Sequence, residues 1–249
     1  MKDLPIKNVV LVHGAFADGS GWESVYHILT KQGYTVRAVA NPNTSFDADV
    51  EATIQVLAQL SGPVILVGHS YGGAVITEAG NAPNVAGLVY IAAFVPEANE
   101  TFLSLFQSWP PAPNSGFLPP DENGLCWYDR AKFHSGFCAD LPADKAAFMA
   151  DSHPPLAGSV FGNSVSQAAW RNKPSWFVLA TEDQTIPPEA QRSMAQRAKA
   201  EITELKASHV VFMSQPQAVV QVIEAAAEGA LNRQQVLQQE AASDSGSVS

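Results

Sequence analysis

The 249-residue chain is 46% hydrophobic and only 15% charged, enough for one well-buried domain with or without an insertion, and too apolar for a disordered protein. Its formal charge of −10 argues against nucleic acid and anionic membranes as partners, since both reward clustered Lys and Arg. No run approaches the ~20 apolar residues of a membrane span.

The chain opens MKDLPIKNVVLVHGAF, with lysines ahead of an apolar run. Residues 9–12 are too few for the apolar region of a signal peptide, so they read as a first core strand and the protein as cytoplasmic. Further Val/Ile/Leu-rich runs follow at 35–40, 64–67, 88–92 and 176–180, with a weaker sixth at 202–205. They are apolar on both faces, as strands buried between two helix layers must be. Between them Trp22, Val25, Tyr26 and Leu29 recur at helical spacing, as do Val50, Ile54, Leu57 and Leu60, then Met194, Ala195 and Ala198. The alternation predicts an α/β protein with a doubly wound, mainly parallel six-stranded sheet.

The pattern breaks over residues 96–170, where WPPAPNSGFLPPDENG and HPPL interrupt it and aromatic residues accumulate. This stretch reads as a cap inserted after the fourth strand, leaving 1–95 and 171–231 as the core. Residues 232–249 lack apolar content after Leu237 and read as a frayed helix running into a disordered tail. Cys126 and Cys138 read as free thiols of a reducing compartment, a disulfide staying open, and without a His or Asp cluster they make no metal site.

The run VILVGHSYGG sets Ser70 at the mouth of a buried strand, between Gly68 and Gly72. A G-x-S-x-G match arises by chance in roughly one chain in twelve of this length at average glycine and serine usage. Its context therefore decides. Ser70 follows an apolar strand and precedes Gly73-Ala74-Val75-Ile76, which can begin a helix packed closely on the sheet. That would hold a nucleophile in a strained elbow at the carboxyl end of a parallel sheet, where open α/β folds bind ligands. The N–H of Tyr71, at the helix start, is one candidate oxyanion donor. The N–H of Ala15, in the small-residue loop after the first strand, is the second.

A serine hydroxyl needs a base. Of the six histidines, His209 follows the last strand and opens the last helix, at the same sheet edge as Ser70. His13 ends the first strand, His27 lies in an amphipathic helix, His69 should point away from the nucleophile, and His134 and His153 belong to the cap. Asp183, just beyond the strand at 176–180, is the candidate orienting acid, with Glu182 adjacent and Glu97 as the fallback. The order Ser, Asp, His along the chain is that of a hydrolase triad built on strand ends.

The segments VLVHGAFADGSGW, VGHSYGG, VYIAAFVPE, ATEDQTIPPEAQ and SHVVFMSQP resemble those of the α/β-hydrolases. More narrowly they resemble the compact esterase and hydroxynitrile lyase group that includes plant methyl esterases and many bacterial carboxylesterases. The resemblance implies the α/β-hydrolase fold, a triad of Ser70, Asp183 and His209, oxyanion donors at Ala15 and Tyr71, and no metal or organic cofactor. The lyases most similar to this chain carry threonine at the position of Gly14 and lysine at that of Val210, so the resemblance favours ester hydrolysis. The expected activity is serine carboxylesterase action on small to medium, hydrophobic or aromatic esters. Candidate substrate contacts are Phe16, Trp109, Trp127, Tyr128 and Val210. A lactonase or amidase with the same triad, a lyase, and a weakly catalytic small-molecule receptor stand as alternatives. The apolar cap could also bury itself in a homodimer, though nothing requires one.

Overall fold

The computed structural model describes residues 5–246. Residues 247–249, the end of the expected tail, lie outside the described residues. In chain order the first half comprises β1 (Asn8–Val12), α1 (Glu23–Lys31), β2 (Thr35–Val39), α2 (Phe46–Ala58), β3 (Val64–His69), α3 (Tyr71–Ala79) and β4 (Val85–Ile91). An irregular stretch follows with α4 (Phe102–Gln107), β5 (Leu125–Cys126), α5 (Arg130–Lys132), α6 (Ala143–Ser152) and β6 (Leu156–Ala157). The chain then returns to regular alternation in β7 (Ser175–Ala180), α7 (Pro188–Arg197), β8 (Glu201–Leu205), α8 (Val211–Ser214) and α9 (Pro216–Gly246).

Six strands form one parallel sheet in the order β2-β1-β3-β4-β7-β8. Valine and isoleucine dominate the central strands because their branched side chains suit a pleated surface covered on both sides. β3, β4 and β7 are buried along their whole length, while the edge strands β2 and β8 carry exposed residues. α1 packs with α9 on one face, and α2 with α3 on the other. Strand order reverses between β1 and β3, so their carboxyl ends flank the switch-point crevice where open α/β sheets bind ligands. Val12 of β1 pairs with Gly68 of β3, which brings the loops after these two strands side by side.

The irregular stretch is fastened to the core at its two ends. The Trp170 indole N–H donates to the Pro96 carbonyl (2.9 Å), and the Arg171 guanidinium forms a two-pronged pair with Glu97. Its interior is aromatic: Tyr128, Phe133 and Phe137 are buried and meet edge to face or tilted, with centroids 4.8–5.5 Å apart. Cys126 and Cys138 are both buried and free. Burial pushes the Cys138 thiol up to about 12 and the Cys126 thiol in the same direction.

The last helix differs from expectation. α9 continues past residue 232 to Gly246. NRQQVLQQEAA is rich in strong helix formers, and that propensity extends a helix even where apolar residues thin out. Among the described residues no helix is long and apolar enough to cross a membrane.

Candidate active site

The turn from β3 into α3 is tight. Ser70 sits there with φ 54° and ψ −124°, a left-handed conformation that costs a non-glycine residue about 1–3 kcal/mol. The neighbouring glycines explain how it is held. A Cβ on Gly72 would lie 2.6 Å from the Val12 carbonyl oxygen, and one on Gly14 would lie 2.6 Å from Ser70 Cβ. The β1 loop and the elbow thus touch backbone to backbone, which only glycine permits. The Ser70 carbonyl accepts from the N–H of Gly73 (2.9 Å) and of Phe94 (3.1 Å), pinning the elbow to the chain beyond β4.

The candidate acid and base, Asp183 and His209, come from the loops after β7 and β8. His209 Nδ1 donates to Asp183 Oδ2 at 2.7 Å, and both side chains are fully buried. The same oxygen accepts from the Gln191 side-chain amide (2.8 Å), while Oδ1 accepts from the N–H groups of Thr185 (2.7 Å) and Ile186 (3.0 Å). Four donors therefore fix one carboxylate. Because Nδ1 carries the proton, Nε2 of His209 is an acceptor, and it is buried with no partner among the described residues. Among the described residues no hydrogen bond joins it to Ser70; such bonds often close only in the substrate complex.

Two further histidines brace this arrangement. His69, fully buried, donates through Nε2 to the His209 carbonyl (3.0 Å), and its ring lies 4.6 Å from that of His209. It faces the His209 ring from within the core. Desolvation first, and then the neighbouring His209, hold its pKa well below the ordinary imidazole value. His13 accepts at Nε2 from the Asn41 N–H (3.0 Å) and donates through Nδ1 to the Gly14 carbonyl (2.9 Å), which locks the loop leading to Ala15.

Ala15 and Tyr71 line the same cavity as Ser70. Among the described residues, neither N–H is used in a loop, turn or side-chain hydrogen bond. The Tyr71 phenol donates to buried Asp49 (2.7 Å), whose other oxygen accepts from the Asn43 N–H (2.7 Å). Burial pushes the Asp49 carboxyl up against the opposing pull of these two bonds. That leaves Tyr71 anchored at the far end of its side chain.

The cavity at Ser70 has a volume of about 50 Å³ and is walled by Phe16, Phe94, Phe102, Phe106, Phe117, Phe137 and Phe161. It adjoins a groove of about 440 Å³ that shares Phe94, Phe106 and Thr185 and contains Trp109, Pro110 and Pro111. Of the expected substrate contacts, Phe16 lines the cavity and Trp109 lines the groove instead. Trp127 lies at the surface against His153 and donates to Asp121. Tyr128 is buried outside the cavity wall, with its hydroxyl on Thr185 (3.1 Å). Val210 is fully buried and lines, with Met149 and Met213, a second groove that shares only Phe16 with the cavity. Adjacent aromatics point to different sides, a matter that composition does not encode.

The remaining candidates fall elsewhere. Glu97 is held by Arg171, which lowers its carboxyl pKa, and Glu182 pairs with Lys206 at 3.5 Å. His27 faces solvent beside Glu23, and His134 bonds to the Leu141 carbonyl. Gln191 and Asp49 also belong to this hydrogen-bonded framework, beyond the residues singled out from the sequence. Each had a visible signal: Gln191 falls in the first turn of α7 just after the acid loop, and Asp49 interrupts the apolar face of Phe46, Val50 and Leu57. Among the described residues no group of three or more His, Cys, Asp or Glu is placed to hold a metal ion.

The profile of the alpha/beta hydrolase family matches residues 9–222. The chain belongs to that family. This alpha/beta hydrolase is 31% identical over 159 residues to the carbendazim hydrolyzing esterase of Nocardioides sp., a match spanning 58% of this chain and 64% of that one. It is 27% identical over 256 residues to the pyrethroid hydrolase of Sphingobium wenxiniae, covering 88% and 87% of the two chains. Among solved structures, the pyrethroid hydrolase from Sphingobium faniae superposes with a TM-score of 0.77 at 22% identity, over 90% of this chain and 98% of that one. Polyneuridine aldehyde esterase gives 0.75 at 19%, over 87% and 97%. At such identities the structural likeness speaks for the α/β-hydrolase fold.

Proposed function

We propose that the protein is a serine carboxylesterase acting on neutral, hydrophobic or aromatic esters. One observation carries the reading. A buried, four-donor carboxylate orients a histidine whose free nitrogen is an unpartnered acceptor, at the sheet edge where Ser70 is strained into an elbow. His209 Nε2 takes the Ser70 proton as Oγ attacks the ester carbonyl carbon. The N–H groups of Ala15 and Tyr71 receive the developing oxyanion, each contributing ~3 kcal/mol of transition-state stabilisation. His209 then returns the proton to the departing alkoxide, and the same base activates water to release the acid.

The cavity supports the choice of substrate. Among the described residues no charged side chain lines it, so a carboxylate or ammonium there would lose its hydration with nothing in exchange. Its small volume suits the compact half of an ester, and the adjoining groove suits the bulkier half. Relatives named for hydrolysing carbendazim and pyrethroids are consistent with this class. The lyase alternative is disfavoured because the residue beside the base is the buried, uncharged Val210, and because a side chain on Gly14 would collide with Ser70.

The test is hydrolysis of p-nitrophenyl esters from acetate to decanoate by the intact protein, Ser70→Ala and His209→Ala. The intact protein should turn over the series and both variants should lose at least about a thousandfold in kcat. A folded but inert protein, or a Ser70→Ala variant of undiminished rate, would sink the reading.

A further inference from the structure

Granting the serine-hydrolase reading, we propose that Tyr128 is a positioning residue. Through it the seated cap holds the loop of the catalytic acid, and the loop of one oxyanion donor, in working register.

Tyr128 follows β5 in the cap, is 2% exposed, and does not line the cavity at Ser70. Its hydroxyl nevertheless reaches across to the core, 3.1 Å from Thr185 Oγ1. Thr185 Oγ1 has a single proton and gives it to the Gly136 carbonyl in the cap at 3.0 Å. Tyr128 must then be the donor, and the chain of bonds runs Tyr128 to Thr185 to Gly136, cap to core to cap. The backbone N–H of the same threonine donates to Asp183 Oδ1 at 2.7 Å. One residue thus grips the acid with its main chain and the cap with its side chain.

The ring of Tyr128 makes two further links. It meets Phe16 edge-on at 5.7 Å, and Phe16 directly follows Ala15 with a left-handed φ of 58°. A non-glycine residue keeps such a backbone only where its surroundings over-determine it. Phe16 is held by cap rings, with Phe117 and His153 each at 5.9 Å besides Tyr128. On its other side Tyr128 packs edge-on to Phe137 at 5.3 Å, and Phe137 packs on the His209 ring at 5.0 Å. The base is tied to the cap separately as well, since Asp140 accepts from both the N–H and the hydroxyl of the preceding Ser208.

Space has been cleared for this side chain from two directions. A Cβ on Gly116 would lie 2.7 Å from Tyr128 Cδ1, and a Cβ on Gly136 would strike the Tyr128 hydroxyl oxygen. Ring and hydroxyl are both accommodated at close quarters. The bland alternative is a tyrosine buried in the cap's own core whose hydroxyl happens to find a partner. That alternative predicts a change in stability and none in kcat.

The experiment compares Tyr128→Phe, Thr185→Val and Thr185→Ser with the intact protein, on the best p-nitrophenyl ester of the series. Tyr128→Phe keeps the ring and the fold; kcat should fall about five- to tenfold, with KM within about twofold and thermal midpoint within a few degrees. Thr185→Val should match that fall in kcat, the double variant should lose little more than either alone, and Thr185→Ser should restore most of it. Tyr128→Phe with intact kcat, or with a loss of kcat that merely tracks its unfolded fraction, would overturn the proposal. Additive losses would overturn it too. Ser70→Ala run alongside separates the two claims: a dead Ser70→Ala beside an undiminished Tyr128→Phe removes only this inference. Undiminished activity in Ser70→Ala, or an intact protein inert on every ester, removes both.

Discussion

The strand ends of the sheet carry the polar groups of the site, whereas the cap faces them with a wall of phenylalanine. On the sheet side each group is fixed by directed bonds: four donors on Asp183, two bonds on the His13 ring, backbone contacts at Gly14 and Gly72. Where the cap walls the cavity its contacts are ring against ring at 5–6 Å, with wide latitude in angle, and directed bonds enter at the ties to Thr185 and Ser208. Hydrogen bonds specify position, and apolar packing specifies volume. On the proposed function, substitutions among the directed bonds should change kcat, and substitutions in the phenylalanine wall should change which ester is preferred.

Asp183→Asn should give the largest effect, a drop in kcat of about 10⁴-fold with KM little changed, because the amide no longer enforces the Nδ1–H tautomer of His209. Steady-state kinetics on the best ester would show it, and a loss below tenfold would mean that Asp183 does not orient the base. Gln191→Leu removes one of the four donors while keeping the volume, and should lower kcat about tenfold. An effect on KM alone would move Gln191 to the selectivity side of the comparison.

Phe106→Ala tests the opposite face, where cavity and groove meet. It should shift preference toward longer acyl chains, raising kcat/KM for octanoate relative to acetate about fivefold while kcat for acetate holds within about twofold. If Phe106→Ala instead abolished turnover of every ester, the division between the two sides would collapse.

The smallest effect on activity concerns pH and stability. Burial lowers the pKa of His13, His69 and His153, so the fold resists protons that the unfolded chain accepts. Their contribution to stability is complete above the ordinary imidazole value, about 6.5, and is lost as pH falls below it. Each histidine held neutral steepens that loss by up to about 1.4 kcal/mol per pH unit. Urea midpoints measured between pH 7.5 and 5.5 should fall steadily, and a flat profile would show that these rings protonate freely in the fold.

Much of the sheet side is legible in one dimension. A strand covered on both faces must be continuously apolar, so β3, β4 and β7 announce themselves, and the loops after parallel strands necessarily share an edge. That logic reaches Ser70, Asp183 and His209 as candidates. It does not reach Gln191, whose role depends on the first turn of α7 doubling back over the acid loop. The cap resists reading for a different reason. Trp127 and Tyr128 are neighbours of similar character, yet one lies at the surface and the other is buried against Thr185 and Phe16. Without a repeating element, nothing in the order of residues says which way an aromatic turns.

The fastening of the cap carries a consequence for how this molecule can change. Its chain leaves the core at Pro96 and Glu97 and returns at Trp170 and Arg171, and those four residues bond across the junction. Exit and re-entry are one doorway. A segment spliced in at that doorway, longer, shorter or borrowed from a relative, would leave the register of the six-stranded sheet undisturbed. New selectivity can be grafted onto an old reaction, provided that the graft brings its own equivalents of the ties to Thr185 and Ser208.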